Sequence, residues 1–530
     1  MKNKIIKVLG LCTATLLLGT GCTKDFDKLN TDPTAYNSET FEPNFILTSA
    51  QLSYTGSFDF SYETWRGNLI YASTLMQQLS TITGYWAGDK YLLNAGYTAA
   101  YWEKAYPDQV KPVSDLLKIT ADKPQFKNLY QIGRITRAMI MQRITDLYGD
   151  VPYFDAGYGF YTGNYFPAYD KQELIYQDIM KEYEEAAMAL DPAGDKPSGD
   201  AFYGGDADQI EKWQRLAYSL LLRAGMRLTK VNPTLAQSTV AKVIGKTMTG
   251  VGDDAYLVHD TKGARATVNR NFQVLFGGPE RDQVKWSAKV IDLLKSTNDP
   301  RLTKIAITNT VFNAPAYTQI TGGNSSFAAQ KGMPNGYDQS ATPGLGITTA
   351  PGYTTLADYS QPSQLLQRLD APTFILTFAE TQLLLADAAQ RWNIPGLGSA
   401  ESLYNSGVTA AMTYMGPYSP DAVVSATDAA AYLTAHPYSA ATGLEMINTQ
   451  FYVHTATMFD FYESWSNWRR SGLPVLTPVN YPNNVTGGKV PRRLPYPLIE
   501  ANTNPTNYQA ASSTVPGGDN LSGRVWWDKE

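Results

Sequence analysis

The sequence predicts a mainly α-helical chain of antiparallel helix pairs, with one loop-rich region carrying short strands. Three observations predict it. Apolar residues recur at three- to five-residue steps over several windows of helical length. Gly, Asn-Pro or Asp-Pro closes these windows. Between about 310 and 370 the periodicity vanishes, and Gly, Pro, Ser, Thr, Asn and Tyr dominate instead.

The chain opens with Lys2, Lys4 and Lys7, followed by an apolar run from Val8 to Leu18. That run is too short to cross a ~30 Å hydrocarbon layer as a helix, which takes roughly 20 residues. A basic start, an apolar core and the small residues Gly19, Thr20 and Gly21 describe an export signal over 1–21. Cys22 follows, and 18-LGTGC-22 resembles a bacterial lipobox in which the cysteine is acylated. Thr20 and Gly21 stretch the commonest spacing, and an ordinary secretory signal with a chance cysteine is the alternative. Of the two cysteines, Cys12 leaves with the signal, so the mature chain has no second thiol for a disulfide. A lone Cys at the cut site reads as a lipid attachment point. Residues 22–40 are polar and turn-rich, the acylated N-terminus and a leash, and 41–530 reads as the folded domain.

Helical windows then follow in order. In 127-KNLYQIGRITRAMIMQRITDLYGD-150, Leu129, Ile132, Ile135, Met139, Ile144 and Leu147 form a stripe that Gly149 and Pro152 stop. The next, 171-KQELIYQDIMKEYEEAAMAL-190, ends at Asp191-Pro192. The third, 208-DQIEKWQRLAYSLLLRAGMRLTK-230, starts acidic and ends basic, as the helix dipole prefers, and stops at Asn232-Pro233. After the loop-rich region, helices are expected over 371–392, 400–415 and 445–470. The tail from 488 is Pro- and Asn-rich.

The formal net charge is −5, and it becomes more negative once the signal lysines leave. Nucleic acid is therefore not an expected partner, because phosphate binding needs a basic surface. Signatures of catalysis are absent. His259, His436 and His454 are far apart and in no ligand spacing, and no nucleophile elbow, zinc-protease helix or dinucleotide fingerprint occurs. No cofactor and no metal site is implied. Asp191, Asp195, Asp200, Asp206 and Asp208 lie close together, but their spacing matches no calcium loop, and a solvated acidic turn is the simpler reading. Acidic 181-KEYEE-185 reads as a solvated helix face, although a glycosidase-like carboxylate pair elsewhere stays open.

Aromatic residues are the remaining signal: 35 Tyr and 10 Trp exceed what a core demands and suit sugar rings as well. In 81-TITGYWAGDKYLLNAGYTAAYW-102 the first half reads as loop, because Gly84, Gly88 and Asp89 break a helix. Tyr85, Trp86 and Tyr91 are therefore ligand-binding candidates, while Tyr101 and Trp102 belong to a helix stripe and the core. Tyr62 and Trp65, in 60-FSYETWRGN-68, and Trp286, in 279-PERDQVKW-286, are weaker candidates. Sugar recognition needs a ring face for the apolar side of a pyranose, with Asn, Asp or Arg for its hydroxyls.

Eight stretches, in order, carry a family resemblance: 25-DFDKLNTDPTAY-36, 144-ITDLYGDVPYFDA-156, 203-YGGDADQIEKWQRLAYSLLLRAGMRL-228, 298-NDPRL-302, 374-FILTFAETQLLLADAA-389, 403-LYNSGVTAAM-412, 464-SWSNWRRSGLP-474 and 490-VPRRLPYPLIEANTN-504. Together they resemble the SusD/RagB lipoproteins of Bacteroidota, in their second large SusD-like subgroup. Tyr218 departs from the family's usual Asn. The resemblance implies a SusD-like fold with tetratricopeptide-like helix pairs. It also implies a non-enzymatic protein on the outer membrane that binds a nutrient and delivers it to a SusC-like TonB-dependent transporter. The expected ligand is an oligosaccharide, and peptides are the alternative. A surface glycosidase and a purely structural surface protein are the readings from other classes. Lys24, Asp25 and Asp27 resemble the charged residues that follow the acylated cysteine in surface-exported lipoproteins, which implies the cell exterior.

Overall fold

The computed structural model describes residues 41–58, 61–262 and 267–530. The signal segment, Cys22 and the leash lie outside the described residues. Helix α1 (Asn44–Tyr54) and a π-helical stretch (Thr64–Ser73) lead into α2 (Ala95–Ala105), α3 (Lys111–Thr120), α4 (Lys127–Tyr148), α5 (Gln172–Ala189), α6 (Gln209–Arg227) and α7 (Pro233–Val243). From α3 onward each helix of this series packs on the next. Their ends follow local chemistry. Gly149 leaves α4 with φ +87°, a conformation that favours glycine. Asn232 accepts from the Leu235 N–H ahead of Pro233, a polar cap followed by a residue with no N–H to satisfy.

The acidic cluster turns out to be structural. Asp195 accepts from the backbone N–H groups of Asn128 and Leu129 and so caps α4. Asp200 accepts from Gln51, Gln209 and Trp213 and ties α1 to α6. Asp206 and Asp208 pair with Lys212 and Arg215. Among the described residues no group of His, Cys, Asp or Glu is placed to hold a metal ion.

Helix α8 (Ala288–Ser296) precedes the loop-rich region, and α9 (Phe378–Arg391), α10 (Ala400–Thr413), α11 (Ala426–Ala435), α12 (Gly443–Met458) and α13 (Phe461–Ser471) follow it. The strands are short and all antiparallel: β1 (Leu79–Thr81), β2 (Ala255–Leu257), β3 (Val284–Trp286), β4 (Ala306–Phe312), β5 (Ile320–Asn324), β6 (Gln361–Pro362) and β7 (Thr373–Leu376). They pair as β1–β3, β2–β7 and β5–β4–β6. Two expected helices need correction. The window 371–392 begins as strand β7, and α9 starts only after Thr377, whose side chain accepts from the Glu380 N–H. The window 445–470 is two helices. Phe459 breaks it with φ +59°, and Asp460 caps α13 by accepting from the Glu463 N–H.

Charged residues bind the helices together inside the core. Arg227 of α6 donates to both carboxylate oxygens of Glu463 on α13, at 2.9 and 2.7 Å, and lies 3.4 Å from Asp146 of α4. Arg223 makes a two-pronged contact with Glu380 of α9, at 2.6 and 2.8 Å. The family-like Asp299–Arg301 and Arg469–Arg470 elements join this framework. Arg301 grips Asp299 and Gln450, Arg469 donates to the Asp146 and Arg492 carbonyls, and Arg470 donates to Asp387 and Asn467. Asp299, Arg301, Arg469 and Arg470 are all buried.

His454 on α12 is also fully buried, with Nε2 2.6 Å from the Thr377 hydroxyl. Burial, reinforced by the Arg301 charge, pushes its pKa down from 6.5 to about 3. The folded state therefore holds it neutral, while the unfolded chain protonates it below about pH 6.5. Its contribution to stability is intact above pH 6.5 and shrinks as pH falls toward 3, by about 1.4 kcal/mol per pH unit. At pH 5 the loss is on the order of 2 kcal/mol. A His454→Gln variant keeps a partner for Thr377 without the titration. Its unfolding free energy is expected to fall less steeply than the wild type's between pH 6.5 and 5 in urea melts, and parallel curves would refute the assignment.

Candidate ligand-binding site

The segment 84–91 packs onto the π-helical stretch because Gly88 allows it. A Cβ there would lie 2.2 Å from the Ile70 carbonyl oxygen and 2.8 Å from the Tyr71 Cα. The π-helical winding, common near functional sites, carries Trp65 and Arg66. The close approach brings Tyr85 beside them.

One carboxylate oxygen fixes this arrangement. Oε1 of the buried Glu280 accepts from Trp65 Nε1 at 3.0 Å, from Trp86 Nε1 at 3.1 Å and from the Tyr85 hydroxyl. Burial, then the hydrogen bond and charge of Glu280, push the Tyr85 pKa far above its ordinary value, so the hydroxyl remains a donor. Trp65 and Tyr85 meet edge to face, 6.0 Å between centroids at 90°. Arg66 lies 3.7 Å over the Tyr62 ring and 5.4 Å from that of Tyr97. Tyr62 in turn donates to Glu103 at 2.9 Å. Next to Glu280, Arg281 lies 3.9 Å over the ring of Tyr317, which is 38 % exposed. Gln283 accepts from Thr83 and from Gln339.

The six expected residues divide evenly. Tyr62 and Trp65 are half-buried and Tyr85 is 37 % exposed, and these three lie around Arg66 and Glu280. Trp86, Tyr91 and Trp286 have no exposed surface, which corrects their reading as stacking platforms. Tyr85 and Trp86 converge on the same Glu280 oxygen, but the large indole of Trp86 is fully buried with its N–H satisfied there, while the Tyr85 ring keeps part of its surface exposed. Tyr91 takes a left-handed conformation, φ +54°, and burial pushes its pKa up to about 12. Trp286 sits on β3, opposite Leu79 of β1, and donates to the Ile305 carbonyl at 3.0 Å. Arg66, Tyr97, Glu280, Arg281 and Tyr317 were not singled out from sequence. Arg66, Tyr97 and Glu280–Arg281 lie inside the three quoted aromatic stretches, and only their three-dimensional company with aromatic rings marks them.

Such a surface can stack apolar ring faces and hydrogen-bond hydroxyls through a guanidinium and amides. Glu280 spends Oε1 on three donors and acts here as the fastener of the site.

A family profile described as "Starch-binding associating with outer membrane", SusD-like_2, matches residues 36–497. The chain belongs to this SusD-like family. Among solved structures, this SusD-like chain is similar to a chitin-binding protein, with 31% identity, a TM-score of 0.78, and coverage of 92% of this chain and 100% of that one. It is likewise similar to a Bacteroidetes SusD-like protein, with 25% identity, a TM-score of 0.78 and the same coverage. A chitin-binding SusD homologue from Flavobacterium johnsoniae, at 21% identity and TM-score 0.72 over 92% of this chain and 98% of that one, shares the fold. A search of curated protein sequences finds no match. The mainly helical SusD-like fold expected from the sequence is the one observed. No helix among the described residues is long and apolar enough to cross a membrane.

Proposed function

We propose that the protein is an outer-membrane lipoprotein, acylated at Cys22 and facing the cell exterior, that binds an oligosaccharide and hands it to a SusC-like TonB-dependent transporter. The observation that carries the ligand class is the partly exposed group Tyr62, Trp65, Tyr85 and Tyr317 with the guanidinium groups of Arg66 and Arg281 over two of its rings. Stacking on a few rings with a few hydrogen bonds gives modest affinity once association costs are deducted, which suits a ligand that must be released. The similarity to a chitin-binding protein over its whole length makes β-linked N-acetylglucosamine chains the first ligands to try.

Calorimetry with chito-oligosaccharides, malto-oligosaccharides and mixed oligopeptides tests the reading. Micromolar to millimolar binding of one glycan series, with peptides silent, is the expected result. Peptide binding alone would replace the glycan reading. Release of shortened sugars during the titration, abolished by one carboxylate substitution, would make the protein a glycosidase.

A further inference from the structure

Away from the ligand-site aromatics, a cavity of about 410 Å³ opens beside the loop 159–166. Its floor holds Trp102 and Tyr106 of and beyond α2, ring centroids 4.9 Å apart, with Tyr169 stacked on Trp102 at 5.6 Å. Its wall is Phe160, Tyr165 and Phe166, exposed by 75, 67 and 60 %. Phe154, Leu498 and Ile499, all exposed, occupy the adjoining chain segments. Large rings so exposed on a surface mark an interaction site.

The loop is held from behind. Tyr161 donates to Asp115 at 2.9 Å, Asn164 donates to Asp155 at 3.2 Å, and Asn507 donates to the Phe166 carbonyl at 3.0 Å. The phenylalanines are therefore presented by a fixed scaffold, which lowers the ordering cost of binding. The charge at the cavity is specific too. Asp155 and Glu500 line it, and among the described residues neither has a Lys or Arg within ion-pair distance, while Lys111 is already paired with Asp115.

Resting on the transporter reading above, we propose that this cavity is the docking face for an extracellular loop of the partner transporter, one that presents an aromatic or aliphatic side chain next to an Arg or Lys. The apolar knob fills the aromatic cavity, and the cation meets Asp155 and Glu500. The two most exposed phenylalanines of the wall, Phe160 and Phe166, carry no polar edge for hydroxyls, so an apolar side chain suits this end of the cavity better than a sugar ring. A lipid surface is wrong as well, because anionic headgroups call for a basic rim and this one is acidic. Helix α2 carries Tyr97 beside Arg66 and Trp102 in this floor, so one rigid element serves both the ligand site and the docking face.

The test is co-purification of the transporter in mild detergent from outer membranes carrying the full-length protein. Phe160→Asp with Phe166→Asp is expected to lower recovered transporter at least tenfold, Asp155→Lys severalfold, and Met188→Asp, an exposed apolar residue on α5, not at all. Oligosaccharide affinity and melting temperature stay at the wild-type values. A photo-reactive residue at 160 is expected to crosslink to the transporter, which guards against misfolding of the aspartate variants. Full recovery with the double variant, or crosslinks from 160 to lipid alone, would overturn the docking face and leave the transporter reading standing. Failure of the wild-type protein to recover any transporter would remove both.

Discussion

Glu463→Ala is expected to lower the unfolding free energy by about 3–5 kcal/mol, the usual loss when one partner of a buried ion pair is removed. Glu463 receives both of its short contacts from Arg227, and Arg223 approaches it at 3.8 Å. Without it Arg227 keeps, among the described residues, only Asp146 as an ion-pair partner, at 3.4 Å, inside a site with 1% side-chain exposure. The cost comes from the stranded guanidinium more than from the lost attraction. Arg227→Met combined with Glu463→Leu is therefore expected to recover most of the loss, since a buried pair can be exchanged for apolar side chains at little cost. Urea denaturation of the three proteins checks this. A single variant within 1 kcal/mol of wild type, on the order of a surface change, would show that the network does not hold α6 to α13.

The same residues show how far the sequence could be read. Helices α4, α5, α6 and α10 were legible because their apolar stripes are long and end in residues that stop a helix. The start of α9 was not, because six apolar or β-branched residues before Thr377 fit a buried strand or a buried helix equally well. The break at Phe459 had no warning in Phe itself, since a bulky residue rarely adopts positive φ. Its ring packs against Phe272 and Phe461, at 4.7 and 5.5 Å, and tertiary packing outweighs the local strain. Asp460 and Glu463, spaced as a cap and its partner, were the signal available. At the candidate site, sequence could place aromatics in a loop but could not tell which side of a turn faces solvent. Tyr85 and Trp86 are neighbours with the same composition cue, and both donate to the Glu280 carboxylate nearly two hundred residues away, yet Trp86 is fully buried and Tyr85 stays 37 % exposed.

That carboxylate supports the second large expected effect. Glu280→Ala leaves Trp65 Nε1, Trp86 Nε1 and the Tyr85 hydroxyl without their shared acceptor, and the Trp86 N–H is buried with no route to water. The unsatisfied donor costs about 1–3 kcal/mol in stability. Freed from Glu280, the Tyr85 ring loses its fixed edge-to-face contact with Trp65, so binding must pay to order it again. Affinity for the best glycan of the panel is expected to drop about tenfold, equivalent to 1.4 kcal/mol. Glu280→Gln retains an acceptor oxygen and should keep most of the affinity, whereas Tyr85→Ala, which removes a stacking face without stranding a buried donor, should lose affinity with little change in stability. The contrast separates fastening from contact: equal affinity losses in Glu280→Gln and Glu280→Ala would mean that the carboxylate charge touches the ligand directly, and full affinity in Tyr85→Ala would move the binding site away from this aromatic surface.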